Sequence, residues 1–227
     1  MTTFLCLHAG GHRGSSWDAV ARFLTAHGHL CIAPDLPSDD PDAGWDNYIA
    51  VAERAAKAVH ITRPLVIVAH SLGGVIAGEL SRRIETSRVV YLCAALGPPG
   101  ISVRQFARET GILPQLDAGA FDARGLAKRS AEEWLSKGYH DAPKDVATAA
   151  ISTIRGQALK PLTEPVPALP TVPMKAILTG EDRLFDSVRL RDFYRTTLRI
   201  DPLQIPGGHF PMASRPELLA LLLEDIA

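Results

Sequence analysis

A rhythm constrains this chain more than any single motif. Short runs that are apolar almost throughout, "TFLCLH" (3–8), "HLCIAP" (29–34), "PLVIVAH" (64–70) and "RVVYLCAAL" (88–96), alternate with segments of helical periodicity at 15–28, 45–60 and about 72–85. A strand wetted on one side alternates apolar and polar residues, so a run with almost no polar member is buried on both faces. Helices placed between such strands make a parallel sheet the economical arrangement, and right-handed crossovers distribute the helices over both faces. Ser15 or Ser16 stands where the first helix needs an N-cap, and Gly28 lies past its end.

The rhythm stops at "GPPG" (97–100). From 100 to about 160 the chain offers helical pieces at 131–139 and 143–156 and no strong strand, and a Pro-rich return follows at 161–173. It then resumes with a strand at 174–180, a helix at 187–198, a strand at 201–207 and a terminal helix opening on the capping-box spacing Ser214-Arg215-Pro216-Glu217. The expectation is one α/β unit of about six mostly parallel strands, with residues 1–96 and 171–227 forming the core and 97–170 a mostly helical cap insertion. Loops at the carboxyl ends of parallel strands form the ligand crevice of such sheets, and the insertion leaves the chain where it can cover that crevice.

The formal net charge of −1 offers no basic excess, which argues against nucleic acid or an anionic membrane as partner. No apolar run reaches the roughly 20 residues that span a bilayer, and the N-terminus lacks the basic, long-apolar pattern of a signal peptide. Cys6, Cys31 and Cys93 sit in strand-like runs. An odd number of such thiols reads as free cysteines in a reducing, cytoplasmic setting. His8 and His12 flank glycines and read as loop or core residues, so no metal is expected.

Within "VIVAHSLGGV" (67–76) an apolar strand runs straight into a helix, with Ser71 at the junction. A sharp strand-to-helix turn projects a hydroxyl into the crevice and aims the first unpaired helical N–H groups at the same point. Ser71 also fits a plain helix N-cap or a phosphate-binding turn, although the P-loop lysine and the spaced glycines of a dinucleotide site are missing. A serine nucleophile needs a base, and the base needs an orienting acid. Two later loops supply them at strand ends: "AILTGEDRLF" carries Glu181 and Asp182, and "LQIPGGHFPMA" carries His209. Asp182 could instead cap the next helix, and His209 could merely pack. An oxyanion hole would take the N–H of Leu72 and a second N–H from "LHAGGHRG" (7–14), where Gly10 stands ahead of Ala9 and Gly11.

Taken together, "LCLHAGGHRGSSWD", "VIVAHSLGG", "ILTGEDRLF" and "GGHFPMASRPELLALL" resemble the α/β-hydrolase superfamily over nearly the whole chain. The nearest branch is the small esterases similar to plant methylesterases and hydroxynitrile lyases. His8, His12 and Trp17 match that branch's opening motif, and His209, Ser214 and Pro216 echo its ending. The first glycine of the serine pentapeptide is Ala69 here. The resemblance implies an α/β-hydrolase fold, a Ser71–His209–Asp182 triad with no cofactor, and a small-molecule ester as substrate. It also places the acid at Asp182 rather than Glu181 or Asp186. Lyases of the branch carry a Lys after the base and a Thr after the first-strand His. Phe210 and Ala9 stand there in this chain, which favours ester hydrolysis over cyanohydrin cleavage. A thioesterase, a lactonase or a slow-turnover receptor on the same three residues stays open, as does a monomer or homodimer. Ala9, Trp134 and Phe210 are the expected substrate contacts. Phe106, Leu113, Leu116, Phe121 and Met212 are candidates for pocket or packing, and Tyr139-His140-Asp141 for substrate contact or packing of the cap.

Overall fold

The structure, a computed structural model, describes residues 1–59, 61, 64–94, 96–115 and 120–227. Leu116, one of the pocket candidates, lies outside the described residues. The apolar runs form strands β1 (Thr3–Leu7), β2 (Leu30–Ile32), β3 (Leu65–His70) and β4 (Arg88–Leu92). Helices α1 (Asp18–Ala26), α2 (Trp45–Lys57) and α3 (Gly74–Arg83) connect them. The insertion contributes α4 (Val103–Thr110), β5 (Leu126–Ala127), α5 (Ala131–Glu133), α6 (Lys144–Ser152), β6 (Gln157–Ala158) and α7 (Leu159–Thr163). The core resumes with β7 (Met174–Thr179), α8 (Ser187–Thr197), β8 (Leu203–Ile205), α9 (Pro211–Ser214) and α10 (Pro216–Ile226). The main sheet has six strands in the order β2-β1-β3-β4-β7-β8, all parallel.

Unbroken hydrophobicity in the strands has the expected cause. Alternate residues of one strand enter different cores: Leu5, Ile67, Val89 and Leu178 pack with α2, α3 and α8. Phe4, Cys6, Val68, Val90 and Ile177 pack with Leu24 of α1 and Leu219 and Leu223 of α10. Both faces of β1 and β3 are therefore apolar because both are covered.

Local details differ from expectation. Neither Ser15 nor Ser16 caps a helix: Gly14–Trp17 is a 3-10 turn without a side-chain cap, and α1 starts at Asp18. Ser214 makes no capping box either. It closes the short α9, while Pro216 opens α10 behind Arg215. Pro216 supplies the fixed φ of a first helical residue and brings no N–H of its own to cap. The insertion also holds a strand pair that two-residue segments could not announce: Leu126 pairs with Ala158 and Ala127 with Gln157, antiparallel. The helical piece at 131–139 is α5 running into a π-turn over Trp134–Gly138. Among the described residues, no helix is long and apolar enough to cross a membrane.

Candidate active site

Ser71 is the first residue after β3 and has φ +51°, a left-handed conformation that a non-glycine residue adopts only when its surroundings impose it. The imposing contact is close packing of the turn on β1. A Cβ on Gly73 would lie 2.8 Å from the His8 carbonyl oxygen and 3.0 Å from Leu7 Cβ, so the turn has room only for glycine there. Ala69 and His70 end the strand fully buried.

The structure brings Ser71, His209 and Asp182 into one chain of hydrogen bonds. His209 Nε2 lies 2.9 Å from Ser71 Oγ, and His209 Nδ1 lies 2.7 Å from Asp182 Oδ2. A carboxylate only accepts, so Nδ1 carries the proton and Nε2 faces the serine hydroxyl as an acceptor. The imidazole and carboxylate side chains are 1% and 2% exposed. Burial would raise the Asp182 pKa. The facing His209 and the N–H groups of Phe185 and Leu184 outweigh it and hold the carboxyl below its usual range. Asp182 uses its second oxygen on the N–H groups of Leu184, at 2.8 Å, and Phe185, at 3.0 Å, which fixes the carboxylate plane. The cap of α8 is Asp186 instead, accepting from Val188 and Arg189. Glu181 is exposed, and its backbone rather than its side chain is engaged.

Neighbours lock the imidazole further. The Phe185 ring meets it edge-on at 4.5 Å, and the Phe210 ring at 5.1 Å. His70 donates from Nε2 to the His209 carbonyl at 2.8 Å, tying the serine turn to the His209 loop. Burial drives the His70 pKa well below its ordinary value, so it stays a neutral donor.

Gly10 and Leu72 come together beside the serine: a Cβ on Gly10 would touch Leu72 Cδ2 at 2.9 Å. Of the three loop residues weighed for a second N–H, Gly11 is committed elsewhere, donating to Gln157 Oε1 at 3.1 Å. His8 and His12 serve the loop's shape. His8 Nδ1 donates to the Ala9 carbonyl and its Nε2 accepts from the Leu36 N–H, while His12 Nδ1 donates to the Gly10 carbonyl. Burial lowers their pKa values to about 4 and about 3.

A cavity of about 390 Å³ opens above these groups, with Ala9, Trp134 and Phe210 in its wall. Leu113 joins them, as do Leu184, Phe185, Arg155 and Gln157, four residues that sequence patterning did not single out. Phe106 is instead a core residue packed on Phe193, and Met212 is buried below Phe210 rather than in this wall. Phe121 packs against the core and bridges to Ala127. Leu184, Phe185 and Arg155 stand in irregular segments and Gln157 in a two-residue strand, where no periodic pattern marks which wall a side chain joins.

Among the described residues, one group of possible metal ligands converges: Cys93, Asp182 and His209, with ligand atoms within 4.8 Å of one another. The last two are hydrogen-bonded to each other, and burial pushes the Cys93 thiol up to about 12, so it offers no thiolate at neutral pH.

The sequence and the fold have counterparts among known proteins. The profile described as "Alpha/beta hydrolase family" matches residues 4–220. A curated relative, pyrethroid hydrolase of Sphingobium wenxiniae, is 27% identical over 253 aligned positions, covering 100% of this chain and 88% of its own length. The crystal structure of a pyrethroid hydrolase from Sphingobium faniae JZ-2 superimposes with a TM-score of 0.80 at 23% identity, covering 99% of this chain and 96% of that one. A methylesterase from Arabidopsis gives a TM-score of 0.80 at 19% identity, covering 100% and 98%. At these identities the two solved structures establish the shared fold.

Proposed function

The chain belongs to the alpha/beta hydrolase family, and from that premise we propose that it is a serine hydrolase of carboxylic esters. The observation that carries this reading is the unbroken relay from Ser71 Oγ to His209 Nε2 at 2.9 Å and from His209 Nδ1 to Asp182 Oδ2 at 2.7 Å. His209, held in its tautomer by Asp182, takes the Ser71 proton as the oxygen attacks the ester carbonyl. The N–H groups of Leu72 and Gly10 receive the oxyanion, each such donor being worth about 3 kcal/mol in the transition state. The alcohol leaves with the proton from His209. Water, deprotonated by the same imidazole, then attacks the acyl-enzyme, releases the acid and returns the proton to Ser71.

The substrate class follows from the wall. A cavity of about 390 Å³ bounded by Leu72, Leu113, Trp134, Leu184, Phe185 and Phe210 suits an ester with a small or medium, largely apolar acyl or alcohol group. Cyanohydrin cleavage is disfavoured because the position after the base holds Phe210, whose ring lies flat on Tyr139 at 4.5 Å, and no ammonium stands there to stabilise a departing anion. The three free thiols favour a reducing compartment.

A fluorophosphonate probe and a panel of p-nitrophenyl esters of increasing acyl length test the reading, with a pyrethroid included because the relatives are named for it. Labelling confined to Ser71, turnover of short and medium esters, and loss of both in Ser71→Ala are expected. A folded protein whose Ser71 ignores the probe overturns the reading. Labelling without turnover of any ester, thioester or lactone turns it towards a receptor.

A further inference from the structure

Three consecutive residues of the insertion, Tyr139, His140 and Asp141, each grip a different loop of the site. Tyr139 donates to His12 Nε2 at 3.0 Å, and His12 in turn donates to the Gly10 carbonyl at 2.8 Å. His140 donates from Nε2 to the Glu181 carbonyl at 3.0 Å, one residue before Asp182. Asp141 Oδ2 accepts the Gly208 N–H at 2.9 Å, one residue before His209. Arg215 completes the last contact with an ion pair to Asp141 at 2.5 Å. The acid and base loops also bind each other, the Glu181 N–H donating to the Gly207 carbonyl at 2.9 Å.

We infer that Tyr139-His140-Asp141 is a clasp through which the inserted segment sets the positions of Gly10, Asp182 and His209, with Asp141 as the positioning residue for the base. The inference rests on the serine-esterase reading of the same site.

The double glycine before the base supplies independent support. A Cβ on Gly208 would stand 2.7 Å from His140 Nε2 and 2.8 Å from Asp141 Oδ1. A Cβ on Gly207, whose φ is +113°, would stand 2.8 Å from Asp141 Oδ2 and 2.6 Å from Arg215 Nη1. The loop is thus bare where the clasp presses on it. Asp141 keeps its charge there. Burial alone would raise its pKa, and the Gly208 N–H, the Ser214 hydroxyl and Arg215 together lower it. Tyr139 adds a rigid mount, its ring stacked on Phe210 at an interplanar angle of 14°. Contacts that touch only residues adjacent to the reacting groups act on alignment, and displacement of a reacting group by about 1 Å costs on the order of a hundredfold in rate.

The test compares wild type with Asp141→Ala, Asp141→Asn, His140→Ala and Tyr139→Phe. The readouts are the second-order rate of Ser71 labelling by a fluorophosphonate, kcat and KM on the best p-nitrophenyl ester, and thermal midpoints. Asp141→Ala is expected to slow labelling and kcat by about tenfold to a hundredfold while KM stays close to wild type. Asp141→Asn, which keeps an acceptor for the Gly208 N–H, is expected to recover most of that loss. His140→Ala removes a partly exposed side chain, and Tyr139→Phe keeps the stacked ring, so both are expected to fold and to slow kcat even if Asp141→Ala does not fold. Wild-type labelling and kcat in the folded variants overturn the clasp alone. A wild-type Ser71 that does not react overturns the esterase reading and the clasp with it. Thermal midpoints that drop while labelling per folded molecule is unchanged also overturn the clasp, because they leave it a stabilising role only.

Discussion

Asp182 shows how much one side chain can be asked to do. One carboxylate oxygen receives His209, and the other closes a turn on the N–H groups of Leu184 and Phe185. An amide at this position could keep the turn yet present the wrong donor pattern to Nδ1, leaving the imidazole in the wrong tautomer. Asp182→Asn is therefore expected to lower kcat by about 10³- to 10⁴-fold with the fold intact, as read by steady-state ester hydrolysis beside circular dichroism. Glu181→Gln is expected to leave kcat nearly unchanged, because that side chain is exposed and only its backbone is engaged. A large loss in Glu181→Gln with little in Asp182→Asn would reverse the assignment of the acid. The order Ser71, Asp182, His209 was legible along the chain, since Ser71 and Asp182 follow apolar strand runs and His209 follows the short strand-like segment 201–207. The choice between two adjacent acids rested on the family resemblance alone, because which carboxylate turns inward depends on the course of the loop.

Among the elements, the turn from β3 into α3 is the one whose local sequence and tertiary contacts agree most closely. Small residues at Ala69, Gly73 and Gly74 mark a sharp junction, and the junction presses on β1 at Gly73. Gly73→Ala is expected to destabilise the protein by about 1–3 kcal/mol, because the contacts it meets are the His8 carbonyl and Leu7 Cβ rather than a flexible side-chain end. A denaturant midpoint measured against wild type checks this, and an unshifted midpoint with wild-type labelling of Ser71 would show that the turn has slack. Helix ends are less legible. Ser15, Ser16 and Ser214 have the chemistry of caps, but a 3-10 turn and a proline start occupy those positions, since packing against the sheet, not capping preference, decides where α1 and α10 begin.

At the scale of the whole molecule, buried neutral histidines couple the fold to pH. His8 and His12 have folded pKa values of about 4 and about 3 against an ordinary 6.5, chiefly because burial disfavours their charged forms. The unfolded chain takes up these protons as pH falls through 6.5 and the folded chain does not. Stability is thus fully present above that value and declines below it until the folded groups titrate. Each histidine contributes a slope of about 1.4 kcal/mol per pH unit within its window. Urea unfolding between pH 6.5 and 4 is expected to show this decline, and His12→Phe to lessen the slope by one histidine's share. Burial lowers the His70 pKa as well, so it adds to the same decline, and a pH-independent stability over that range would mean that these imidazoles are hydrated. The same scale separates what residue order could decide from what it could not. Apolar runs alternating with amphipathic ones leave a two-faced parallel sheet as the way to hide both sides of the central strands, and they put Ser71, Asp182 and His209 at strand ends on one edge. The insertion has no such periodic demand. Its grip on the site through Tyr139-His140-Asp141 and Gln157 consists of single hydrogen bonds between residues 41 to 146 positions apart. Contacts of that kind leave no trace in local pattern, so only the folded arrangement of the insertion over the sheet determines which three loops it holds.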